Sequence, residues 1–138
     1  MPTSIYIHLD KNEPGFDTWD GSGVAVSDHM IEIYEITTKL KLRSPDDFLS
    51  VGFRGDLEDP EAGLDEYGNP LPDCWFTAEE GLEWVRTVRE YVRAHPEEID
   101  GPPLLTSCDE LIEDLDFFES VLARAKEMGA RWQFWIDF

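Results

Sequence analysis

The chain has 138 residues, 31 of them acidic and 11 basic, for a formal net charge of −20 at pH 7. That charge repels nucleic acid and anionic membrane surfaces, so neither is expected as a partner. With 41% hydrophobic and 12% aromatic residues the composition is that of a globular protein rather than a disordered acidic tail. No apolar run approaches the ~18–20 residues of a membrane span, and the length fits a single domain, residues 1–138, with a real core.

The opening Met1-Pro2-Thr3-Ser4-Ile5 has no basic region followed by an apolar block, so no secretion signal is read and a cytoplasmic setting is expected. Cys74 and Cys108 are the two cysteines. Without a signal they are expected as free thiols, and their spacing excludes CxxC redox or zinc chemistry.

Ser4 to Leu9 alternates Ile5, Ile7 and Leu9 with Tyr6 and His8, the pattern of a strand with one buried face. Asp10 to Gly23 reads as a loop because of Pro14, Gly15, Gly21 and Gly23 among Asp and Asn residues. Its acids do not make a calcium loop: Pro14 stands where the third ligand of an EF-hand would be.

Met30, Ile33, Tyr34, Thr37 and Leu40 share one helical face, which predicts a helix over 27–42 with Ser27 as its cap and Asp28 just inside. Ser44-Pro45-Asp46-Asp47 predicts a short new turn with Phe48 and Leu49 on its buried side. Val51 to Cys74 carries four glycines, three prolines and a run of acids, and no long element is predicted there.

Thr77-Ala78-Glu79-Glu80 reads as a capping box opening a helix that Pro96 stops. Ala78, Gly81, Leu82, Val85, Val88 and Val92 form its apolar stripe. Ser107-Cys108-Asp109-Glu110 is a second capping box, opening a helix to about Met128 with Leu111, Leu115, Phe118, Leu122 and Ala125 inward. Gly129 is expected in the left-handed conformation that ends it. The last residues alternate Trp132, Phe134, Ile136 and Phe138 with Arg131, Gln133, Trp135 and Asp137, a second one-sided strand.

These elements predict an α+β domain. Its small antiparallel sheet would contain the N- and C-terminal strands, covered on one face by two long amphipathic helices plus a shorter helical region.

No HExxH, GxSxG, paired-histidine or phosphate-loop motif is present, so no catalytic residue, metal ligand or cofactor is assigned. Three clusters remain. Asp56, Glu58, Asp59, Glu61, Asp65 and Glu66 make an acidic stretch suited to a basic protein or, through oxygen ligands, a hard cation. A second acidic block includes Asp109, Glu113 and Asp116, much of it the solvent face of an amphipathic helix. The sheet face opposite the core would gather Tyr6, His8, Gln133, Trp135 and Asp137 as a pocket or an interface.

Trp75-Phe76 followed by Glu80-Gly81-Leu82, the later acidic helix, and Gly129-Ala130-Arg131 running into Ile136-Asp137-Phe138 resemble a group of small acidic, uncharacterised bacterial proteins. The resemblance implies a bacterial cytoplasmic domain and carries neither an activity nor site residues. The leading expectation is a non-enzymatic acidic protein that binds a basic protein partner, immunity- or inhibitor-like. The alternatives are a small-molecule or divalent-metal-binding domain, possibly an enzyme, and a homodimer joined through the sheet face.

Overall fold

A computed structural model describes residues 4–10, 23–48, 75–99 and 106–137. Its two terminal strands pair directly. β1 (Ser4–Leu9) runs antiparallel to β3 (Arg131–Asp137), with Ile5 opposite Ile136, Ile7 opposite Phe134 and Leu9 opposite Trp132. Directly opposed residues in an antiparallel pair share a face, so this register puts the apolar members of both strands on one side. Ile5, Ile7, Leu9, Trp132 and Phe134 are all buried there. A two-residue strand, β2 (Phe76–Thr77), pairs with the other edge of β3, giving the order β1-β3-β2.

The helical layer begins with α1 (Val24–Asp28) and α2 (Met30–Lys39). The single helix expected from Ser27 is therefore corrected: two helices meet at His29, and Ser27 lies inside the first. The cause is tertiary. Gly23 has φ +104, and a Cβ there would collide with the Ile5 carbonyl. Its carbonyl accepts from both Ile5 N and Ser27 N at 3.1 Å, so glycine lets the helix start against β1. No local side chain caps α1. His29 then closes α1 and opens α2 with φ −109 and ψ 25, off helical values.

Pro45–Phe48 forms the short turn expected after Ser44, as a 3-10 helix, and Phe48 is fully buried. α3 (Ala78–Ala94) and α4 (Cys108–Glu127) are the two long amphipathic helices. Ser107 and Glu110 make the full reciprocal box at the start of α4. At α3 only half of the box forms: Thr77 accepts from Glu80 N, while the Glu80 carboxylate accepts from Arg43 Nε at 2.9 Å. A cation from another element has drawn Glu80 away from the local return bond. α4 ends as expected, with Gly129 at φ +68. Gly129 N donates to Lys126 O and Ala130 N to Ala125 O, which satisfies two of the last carbonyls.

Phe48, Trp84, Phe118, Trp132 and Phe134 make an aromatic core between helices and sheet. Phe48 stacks on Trp132 at 4.7 Å and meets Phe76, Trp84 and Phe134 edge-on. Burying each such side chain contributes roughly 1.5–3 kcal/mol. The two core indoles also satisfy their N–H groups: Trp84 donates to Arg43 O at 2.8 Å and Trp132 to Thr77 O at 3.0 Å. Among the described residues no helix is long and apolar enough to cross a membrane.

Candidate functional site

The same register that buries Ile7 and Phe134 sends the alternate residues to the second face of the sheet. Tyr6 lies opposite Trp135, His8 opposite Gln133 and Ser4 opposite Asp137. Five residues singled out in the sequence thus share a face, although the Asp137 side chain lies outside the described residues. The His8 ring stacks on Trp135 at 4.1 Å, and Tyr6 meets Trp135 edge-on at 6.3 Å. Trp75 joins this group, its ring tilted 5.6 Å from His8. The adjacent aromatics Trp75-Phe76, at the junction just before the capping box at Thr77, are the sequence signal for it. The junction splits between faces, since Phe76 turns to Phe48 and the core instead.

Gln133 is the unusual member. It is fully buried, and neither its amide nitrogen nor its amide oxygen has a hydrogen-bond partner among the described residues. A buried polar group left unpaired costs about 1–3 kcal/mol, so this position is energetically unfavourable for glutamine unless something engages the amide.

The acidic residues divide three ways. Asp56, Glu58, Asp59, Glu61, Asp65 and Glu66 lie outside the described residues. Asp109 and Glu113 are exposed on α4, with no cation at ion-pair distance among the described residues. The remainder of the second block is not a plain solvent face. Asp116 accepts from Arg89 Nη1 at 2.8 Å and has Arg93 Nη2 at 3.8 Å. Glu119 takes both arms of Arg89, at 2.9 and 3.0 Å, and Arg86 Nε at 2.7 Å. These guanidinium groups hold the Glu119 carboxyl down at about 2. Arg86 and Arg89 thus clamp α3 to α4. Partner numbers fall on α4 as they rise on α3, so the two helices are antiparallel.

Asp114 departs furthest from a solvent face. It is buried, and its Oδ2 accepts from the backbone N–H groups of Ala25 and Val26 at 3.0 and 3.3 Å. It is the cap that α1 lacks locally. Burial pushes its carboxyl above the ordinary value, opposed by the backbone hydrogen bonds.

No family model, curated protein or solved structure matches the chain. The site must therefore be read from its own chemistry.

Two further groups were not read as sites in the sequence. Asp28 accepts from Thr106 N and Oγ1 at 3.2 and 3.0 Å, and buried His29 places Nε2 2.7 Å from Thr106 O. They moor the α1–α2 joint to the segment before α4, a structural role. Where α3 ends, His95, Glu97 and Glu98 come together in the turn that Pro96 makes. His-Pro-Glu-Glu had read only as a helix stop. Cys108 is buried at the start of α4, its Sγ 4.0 Å from Val92 O.

Proposed function

We propose that this chain is a non-enzymatic acidic interaction protein that binds a basic protein partner, immunity- or inhibitor-like. The observation that carries the reading is the internal use of positive charge. Among the described residues Lys39, Arg43, Arg86, Arg89, Arg93 and Lys126 sit in ion pairs within the chain. With 31 acids against 11 bases, the net field of the chain is strongly negative. Such a field speeds encounter with a positively charged surface and discourages acidic ones. Asp109 and Glu113 are exposed carboxylates with no cation at ion-pair distance among the described residues, and the acidic stretch 56–66 adds to the same charge.

The test is capture of a basic protein at low salt, followed by association kinetics across ionic strength. A partner whose on-rate falls as salt rises, and falls again in the double variant Asp109→Lys/Glu113→Lys, supports the proposal. If the tightest partner is acidic or its binding ignores salt, the reading is wrong.

A second reading, a small-molecule site on the second face of the sheet, is favoured by the unpaired Gln133 amide beside the His8, Trp75 and Trp135 rings. Those groups suit a planar molecule whose edge both donates and accepts a hydrogen bond. Compounds of that kind that raise Tm in the native chain and not in Gln133→Met would favour it over partner binding.

A further inference from the structure

We infer that the turn closing α3 is a binding site for a zinc-class divalent metal ion, held by His95, Glu97 and Glu98. This inference is independent of the partner reading. The His95 Nδ1 atom lies 3.5 Å from Glu97 Oε1 and 3.9 Å from Glu98 Oε2, and one ligand atom from each residue falls within 4.8 Å of the others. These separations are longer than the roughly 2.7–3.2 Å of a hydrogen bond to nitrogen. The shorter matches the edge of a tetrahedron around zinc, about 3.3–3.6 Å for metal–ligand distances near 2.0–2.2 Å, and the longer exceeds it by a few tenths of an ångström. Nδ1 and the two carboxylate oxygens can each offer a lone pair to one shared cation.

The turn holds these ligands before any metal arrives. His95 N donates to Tyr91 O at 2.9 Å, and His95 O accepts from Glu98 N at 3.1 Å, so ligands one and three are fixed by the same backbone. Pro96 sets the intervening φ. The imidazole rests on the Tyr91 ring at 4.5 Å. The other oxygen of Glu98, Oε1, takes Lys39 Nζ at 2.7 Å, which orients the carboxylate and leaves Oε2 towards His95. An outer partner of this kind is how metal-binding carboxylates are usually steered. One imidazole with two carboxylates suits zinc and its first-row neighbours better than calcium, which prefers six to eight oxygens. Glu97 is open to solvent, so the ion has a route in and water can complete its coordination.

Calorimetric titration of the full chain with Zn²⁺, in a buffer that does not chelate it, reads the site directly. One binding event with a rise in Tm is expected; in His95→Gln and in Glu97→Gln the affinity is expected to fall at least tenfold and the Tm rise to shrink. Glu97 is exposed, so its variant tests the ligand without threatening the fold. Absence of both heat and Tm change in the native chain would overturn the inference. So would Zn²⁺ affinity unchanged in the two variants, which would place the ion elsewhere, at Cys108 or another histidine.

Discussion

Asp114 Oδ2 stands 3.0 Å from the amide nitrogen of Ala25, 89 residues away in the chain. A carboxylate on one helix thereby supplies the cap of another. Replacing Asp114 with Ala orphans the amides at the start of α1, at an expected cost of about 1–3 kcal/mol in urea unfolding. Asn keeps one acceptor oxygen and loses the buried charge, so Asp114→Asn is expected to stay within about 1 kcal/mol of the native chain. The raised carboxyl means the folded state holds this proton more tightly than the unfolded chain. Its contribution is complete below the unfolded value near 3.8 and declines as pH rises through the folded one. The Asn variant should lack that decline.

Glu119 has the opposite sign. Its folded value, about 2 against an ordinary 4.5, means the native state sheds this proton more readily than the unfolded chain. The stability it supplies is complete above about pH 4.5 and is lost as pH falls towards about 2. Glu119→Gln is expected to cost about 1–2 kcal/mol at pH 7, in the range for hydrogen bonds to charged groups after allowance for partial exposure. The same substitution should flatten the acid limb of the stability profile, measured by urea midpoints between pH 6 and 2.

Two glycines separate backbone strain from steric conflict. Gly129 has φ +68 and nothing within 4 Å of a Cβ, so Gly129→Ala meets only the left-handed backbone penalty, about 1–2 kcal/mol. Gly81 lies in α3 against Trp132, and a Cβ there would come within 2.5 Å of the indole nitrogen. Gly81→Ala must displace a fully buried ring and strain its bond to Thr77. Its expected cost is about 2–3 kcal/mol, with a near-ultraviolet circular dichroism change that Gly129→Ala does not show.

Gln133→Met is expected to stabilise the chain by about 1 kcal/mol or more, because it removes a buried amide without partners while nearly keeping its volume. Thermal unfolding checks this. A destabilising result would show that the amide is engaged in the folded protein and contributes to it.

Much of the architecture was legible because it is local or periodic. The alternation in Ser4–Leu9 and Arg131–Asp137 led to the paired strands and to the two faces, and the register Ile7–Phe134 and His8–Gln133 follows it. Ser107 to Glu110 and Gly129 marked both ends of α4 from neighbours a few residues away. What escaped depended on distant partners. Gly21-Ser22-Gly23 resembles a loop, and only β1 and Asp114 make Gly23 a helix start. Glu80 had the spacing for a capping box, and Arg43 took it. Asp116 and Glu119 matched the charged side of an amphipathic helix, which is indistinguishable in one dimension from a surface facing arginines on another helix. For the candidate site, alternation foretold the company of Tyr6, His8 and Trp135. It had no means of showing that Gln133 would be sealed away from water.

β3 is the central strand of the sheet, and both of its neighbours come from far upstream. At the β1 end, Arg131 N donates to Asp10 Oδ1 across 121 residues of sequence. Closing so wide a loop costs entropy before any ladder bond can offset it. The helical hairpin of α3 and α4 is local and needs no such closure. The assembly order that follows is helices first and sheet last, with docking of β1 onto β3 as the slow step. Stopped-flow refolding should then show Leu111→Ala, in the early helical hairpin, retarding the main phase more than Phe134→Leu does for the same loss of stability.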